Sequence, residues 1–432
     1  MIESKKNLLL IALLFSCKPV QPDSSLKHTW GNTDRASDLK VGACSEKEAT
    51  GLTKTRAFLK ELGEHIMKAN PQTFKPGTDL DPTKFCFNVE HSGEYNATAL
   101  SLTREISFNT HTVTSSYSYE SIAMVMAHEL AHISLRHSSN MRHPDYLPSE
   151  EFKSLESRYH GQMNLYLRLS EINLNSNKIA EQLESCIRKE NPEGVGAFFS
   201  EMNKLGGELI CNKQNYGPDC EEYITRAESE ITNDYLNLGP QACRSYVGEL
   251  YKALDESSRI SQSFDGNLIY ETKAKMIAEQ AKFPGLKRAE AFNWPEREAD
   301  EVGFELYVRA GFDTYAAQTV YVKFAYMDLG SSNDPGLNGE KCLSYLEKSS
   351  SINEISSILH GENRGESSHP APCWRLLHHT YEKMLHKDDI ERTAKLYPDS
   401  ARLKMLWAAA KEEIKAFPNK EEILEEGYPS DY

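Results

Sequence analysis

Ile122-Ala123-Met124-Val125-Met126-Ala127-His128-Glu129-Leu130-Ala131-His132 is the stretch on which the fold turns. The run from Ile122 to His137 carries an apolar, small-residue face and reads as a helix that is largely buried. His128 and His132 stand four residues apart, so on a helix both imidazoles leave one face a turn apart and two ring nitrogens can meet one zinc ion. Glu129, beside the first histidine, then reaches the water in the open coordination position. Burying two histidines and a glutamate is costly unless a metal uses them. Alone, the pentapeptide would also fit a surface helix with incidental charges.

A catalytic zinc takes three protein ligands and keeps one position open. Downstream, Trp294-Pro295-Glu296-Arg297-Glu298-Ala299-Asp300-Glu301-Val302-Gly303 again places two carboxylates, Glu296 and Asp300, four apart on an expected helix. The first can bind metal while the second accepts a hydrogen bond from a ligand histidine's far nitrogen. Taken alone, this segment is equally a charged helix face.

Together these motifs resemble the HtpX/BepA-type gluzincin metallopeptidases, a group that includes the Oma-type and CAAX prenyl endopeptidases. The resemblance rests on Met126 to His132 followed by Arg136-His137, on Glu296 and Asp300 within the Arg-Glu-Ala-Asp run, on Asn96-Ala97 ahead of an edge strand, and on Ser368-His369-Pro370 with Arg375. It covers about 50–140 and 290–385, with the motifs in the family's order. It implies one zinc per chain held by His128, His132 and Glu296, with Glu129 as general base and Asp300 orienting a histidine ligand. It further implies that His369 approaches the metal or steadies the oxyanion and that Arg375 holds the His369 loop; an ordinary loop histidine is the other reading of His369. His137 reads as structural. Ser101-Leu102-Thr103-Arg104 stands where the family has a glycine pair, and the segment between the second and third ligands is much longer than the family pattern.

Around these motifs the chain divides into a signal segment (1–16), a polar tether (17–50), the first part of a peptidase core (51–144), a helical insertion (145–290), the second part of the core (291–385) and a C-terminal helical extension (386–432). The expected fold is α+β and mostly helical: a zincin-like core with a small sheet, an active-site helix and a large helical insertion. A helix is expected from Leu52 to Asn70, ended by Pro71, and strands at 85–89, 97–102 and 105–109. The strand at 105–109 is expected to hold extended substrate by backbone pairing. Within the insertion, 151–190, 219–236 and 243–282 carry apolar residues at helical intervals. The insertion reads either as a cap over the site or as a docking surface for a partner.

Lys5 and Lys6 precede an unbroken apolar run, Leu8 to Phe15. That run gives about 12 Å of helix, short of the roughly 20 residues of a bilayer span, and fits the h-region of a signal peptide. It ends Leu14-Phe15-Ser16-Cys17, which resembles a bacterial lipobox and implies lipid on Cys17. An ordinary cleaved signal with Cys17 incidental, or a short anchoring helix, are the alternatives. The lipobox reading implies a periplasm-facing protein of the bacterial cell envelope, held to the membrane by lipid only, with the outer membrane as its expected site.

Cysteine usage agrees with export. Removing Cys17 from the nine cysteines leaves eight, an even number with no C-x-x-C spacing, which suggests disulfides rather than a structural zinc cluster. They group as an N-terminal pair, a central four and a C-terminal pair, so pairing within segments is expected, including Cys342 with Cys373 beside the His369 loop. A net charge of −15 argues against a nucleic-acid or anionic-membrane surface. The expected activity is hydrolysis of unfolded or misassembled envelope polypeptides, with a further protein partner possible through 145–290. The rival expectation is a non-catalytic periplasmic chaperone or assembly lipoprotein that retains the fold; the intact Glu129 weighs against it.

Overall fold

The computed structural model describes residues 42, 44, 52–137, 142–143, 146–214, 228–284, 288–328, 351–361, 372–393 and 400–417. The first described helix, α1 (Thr53–Ala69), buries Phe58, Leu59, Leu62, Ile66 and Met67 along one face. Its own N-cap, Leu52, offers no side-chain acceptor. Glu413, far along the chain, accepts from the Lys54 amide at 2.9 Å and the Thr55 amide at 2.7 Å, meeting donors that a helix start leaves open.

Three short strands follow: β1 (Cys86–Glu90), β2 (Ala97–Leu100) and β3 (Glu105–Asn109). They form one sheet in the order β1-β3-β2, parallel between β1 and β3 and antiparallel between β2 and β3. β3 is therefore the middle strand, with both backbone edges already paired. The expectation that 105–109 receives substrate is overturned; among the described residues β1 and β2 are the outer strands, and β2 is the one that lines the cleft described below. Arg104, at φ 58, turns the chain between β2 and β3 and donates from Nη2 to the Gly42 carbonyl at 2.7 Å. With the Cys44–Cys86 disulfide, this ties Gly42 and Cys44 to the sheet.

α2 (Thr110–Ser115) leads into α3 (Tyr119–Ser134), the motif helix. Ser118 caps α3 by accepting from the Ser121 amide, and nearly every residue of the helix is buried. α3 lies at the centre of the main hydrophobic core, which gathers residues from α1, the sheet and the chain's second half.

The insertion is built from α4 (Glu150–Glu190), α5 (Val195–Gln214), α6 (Glu228–Leu236), α7 (Arg244–Ser261) and α8 (Gly266–Gln280). The 41 residues of α4 run for about 60 Å. Its far half joins α5, α6 and α7 in a separate apolar cluster around Leu183, Ile187, Leu205, Ile231 and Val247, with Cys186 bonded to Cys243. Where the periodicity predicted one helix over 243–282 there are two, because Asp265 accepts from the Asn267 and Leu268 amides and starts α8 afresh. α8 returns along the near half of α4 around Phe152, Tyr159 and Met276. Gln280, fully buried, accepts from the His143 amide at 2.6 Å and so ties this return to the chain leaving the motif helix.

α9 (Arg288–Arg309) then packs lengthwise on α3, and α10 (Thr314–Asp328) covers both α3 and the later helices. α11 (Ile352–Gly361), α12 (Pro372–Leu385), α13 (Lys387–Thr393) and α14 (Ser400–Lys415) complete the described chain. α14 lies along α1 and adds Leu403 and Ala410 to the main core. The protein is thus mostly helical with one small sheet. Among the described residues no helix is long and apolar enough to cross a membrane. Cys17 and Cys342 lie outside the described residues; Cys373 is disulfide-bonded to a cysteine whose side chain is not described.

Candidate metal centre

α3 and α9 meet so closely that their charged residues face one another. His128 Nε2 lies 3.3 Å from Glu296 Oε2, and His132 Nε2 lies 3.4 Å from Glu296 Oε1. The two histidine Nε2 atoms are 3.0 Å apart. Two ligands of a tetrahedral zinc with Zn–N of about 2.0–2.1 Å stand roughly 3.3–3.4 Å apart, close to this separation. The sequence-predicted ligands are thus brought together as a group that could hold a metal ion.

The far nitrogens of both imidazoles already face partners. His128 Nδ1 lies 2.9 Å from Asp300 Oδ1, which turns Nε2 toward Glu296. Asp300 is in turn gripped by Arg375, which donates from Nε to Oδ2 at 2.8 Å and from Nη2 to Oδ1 at 2.7 Å, and by the Tyr321 hydroxyl at 3.1 Å. Arg375 thereby acts on the orienting carboxylate; the loop it was expected to hold, with Ser368, His369 and Pro370, lies outside the described residues.

His132 has a parallel arrangement that the sequence reading missed. α3 ends at Ser134, and Arg136 takes the left-handed conformation at φ 54, a common way to leave a helix. The chain doubles back, the His137 amide donates to the His132 carbonyl at 3.1 Å, and His137 Nδ1 comes within 2.7 Å of His132 Nδ1. His137 Nε2 lies 3.2 Å from Glu298 Oε2, both side chains being buried. With His132 Nε2 free for a ligand, its Nδ1–H donates to His137, whose Nε2–H donates to Glu298. One consistent set of tautomers thus aims both Nε2 atoms and the Glu296 carboxylate at a single point.

The electrostatics follow from burial and proximity. Burial alone would lower the His128 imidazole, but the facing Asp300 and Glu296 carboxylates override it and raise it to about 10. Burial would also raise Glu296, yet His132 and His128 hold it well below the usual carboxylate range. Asp300 behaves the same way, with Arg375 and His128 outweighing its burial. Arg375 answers Asp300, whereas Glu296 faces only the two imidazoles, so a divalent metal could take the place of the proton that His128 otherwise retains.

Glu129 stands apart from this lattice. It is 7% exposed and burial raises its carboxyl above the usual range, against the pull of both histidines. Among the described residues no side chain holds its carboxylate, which faces a cleft of about 350 Å³. One wall of the cleft is the outer strand with its lead-in, Asn96 to Ala99; another is α8 of the insertion, through Lys273 and Ile277. The insertion therefore reaches the mouth of the site rather than standing clear of it.

Compared with known proteins, the chain matches no family model, no curated protein and no solved structure.

Proposed function

We propose that the chain is a zinc-dependent endopeptidase with a zincin-like core, acting on extended segments of unfolded or misassembled envelope polypeptides. The observation that carries this reading is an unheld, buried Glu129 carboxylate beside three converging ligands, in a cleft walled by an outer β-strand. His128, His132 and Glu296 would hold the zinc; when bound, it supplies Lewis acidity toward a water and the scissile carbonyl. Glu129 takes the proton of the attacking water, a task suited to a carboxyl whose affinity for protons burial has raised, and returns it to the departing amine. Asp300 and His137 fix the two imidazoles in the tautomer that ligation needs. β2 accepts the substrate backbone as an added strand, and α8 limits entry from the opposite side, which favours the cap reading of 145–290.

A lipid anchor on Cys17 would keep this activity at the periplasmic face of the envelope, and His369 would complete the oxyanion environment. Glu129→Gln tests the core of the reading. It should retain zinc and structure while cleavage of an unfolded protein such as reduced casein falls by at least a thousandfold. Retained cleavage would refute Glu129 as the base, and zinc binding without cleavage in the wild type, even after removal of 145–290, would favour the chaperone-like alternative.

A further inference from the structure

A second cluster of metal-binding side chains lies one residue beyond Asp300, on the face of α9 turned toward α12. Glu301, His378 and Glu382 are 0%, 1% and 1% exposed, and one ligand atom from each lies within 4.8 Å of the others. None of the three lines the cleft. His378 Nε2 approaches Glu301 Oε1 to 3.2 Å and Glu382 Oε1 to 3.7 Å. Both Glu301 oxygens and His378 Nε2 are buried yet make no hydrogen bond, so the approach lacks the alignment that would make it one. The imidazole is positioned by other means: it stacks on Trp374 with ring centroids 4.6 Å apart, and Trp374 is itself tied to the Leu359 carbonyl.

We propose that Glu301, His378 and Glu382 hold a second divalent metal ion, of the zinc class, that staples α9 to α12. Two carboxylates and an imidazole are donors such a cation takes, and a carboxylate binding through both oxygens would complete four-fold coordination. Arg297 Nε lies 3.2 Å from Glu301 Oε1 and its charge also acts on Glu382, so one guanidinium faces two buried carboxylates. His386 Nε2 lies 3.5 Å from Glu382 Oε2, outside the triad, where it can orient that carboxylate as an outer partner does in metal sites. Because the cluster is closed to the cleft, the ion is structural. It fixes the helix that supplies Glu296, Glu298 and Asp300 against the helix that supplies Arg375, and so acts on the first centre only through alignment. This inference does not depend on the peptidase reading.

Metal content of the purified full chain, measured by plasma mass spectrometry after zinc loading and exhaustive dialysis, tests both centres at once. The wild type should carry two equivalents, His128→Ala one, Glu382→Gln one, and the double variant none. The melting temperature of His128→Ala should still rise on adding zinc, and that of the double variant should not. A wild-type count of one, lost with His128→Ala and unchanged by Glu382→Gln, overturns the second centre and leaves the first standing. A count of one lost only with Glu382→Gln does the reverse, and no metal in folded wild type overturns both. If Glu382→Gln does not fold, His128→Ala decides alone: one retained equivalent supports the buried site, and loss of all metal overturns it.

Discussion

Gly303→Ala is the substitution whose effect follows most directly from the geometry. A Cβ at Gly303 would stand 2.8 Å from His128 Cα, 2.9 Å from His128 N and 3.1 Å from the Ala127 carbonyl carbon, all of them backbone atoms that cannot rotate aside. Bringing the 2.8 Å approach out to the 3.4 Å at which ordinary contact begins separates α3 from α9 by about 0.6 Å. Glu296 lies two turns earlier on α9, and metal–ligand distances tolerate only about 0.2 Å. The methyl group therefore acts on zinc affinity more than on folding. Overpacking costs about 1–3 kcal/mol, and the better helix preference of alanine returns about 1 kcal/mol, for a net loss of at most about 2 kcal/mol in urea unfolding. Zinc affinity, measured by competition with a chromogenic chelator, should weaken at least tenfold. Wild-type affinity and unfolding in Gly303→Ala would show that this glycine does not set the distance between the ligand-bearing helices.

Arg375→Met leaves Asp300 buried with its main counter-charge removed, and should lower stability by about 3–5 kcal/mol in chemical denaturation. Arg375→Lys should recover part of that, since a lysine cannot reproduce the two-oxygen grip; equal loss in both would argue against the paired contact. His379 is held by burial down to about 3 from an ordinary 6.5, between Phe304 and Tyr321. The unfolded chain then takes up a proton near pH 6.5 that the folded chain refuses until near pH 3, so stability falls with decreasing pH across that window, by about 1.4 kcal/mol per pH unit. His379→Phe should remove about one proton from the slope of unfolding free energy against pH between 6.5 and 3, and an unchanged slope would refute the assignment.

The motif histidines were legible because their relation is local: four residues on a helix fixes a shared face whatever the tertiary fold. The same logic found Glu296 and Asp300. It could not sort the acidic run that contains them, because Glu296, Glu298, Asp300 and Glu301 look alike in sequence and each serves a different partner. Glu296 faces both ligand histidines, Glu298 holds His137, Asp300 holds His128, and Glu301 turns to His378. Those partners come from α3, from the turn after it and from α12, and only packing decides among them. Strand order was likewise hidden: the residue pattern marks 97–102 and 105–109 as strands, the first ending at Leu100 in the structure, but nothing in it says which lies between two others. Arg136 gave no sign of the left-handed turn that swings His137 onto His132, since arginine is not a residue that advertises that conformation. The break in 243–282 had a visible signal, Asp265 before Gly266, which the apolar periodicity on either side obscured.

The capping of α1 by Glu413 sets an order of events on the ribosome. Acceptor and donor are 358 residues apart for the Thr55 contact, and the helix that carries Glu413 also closes the main core along α1. At about 5–20 residues per second, the first helix waits on the order of 20–70 s for the carboxylate that completes it. Throughout that interval its apolar face can pack on the sheet and α3, but its leading amides lack the acceptor they have in the finished chain. α14, the last of the described helices to be made, supplies that cap, so a chain truncated before it would carry His128, His132 and Glu296 but leave the start of α1 uncapped.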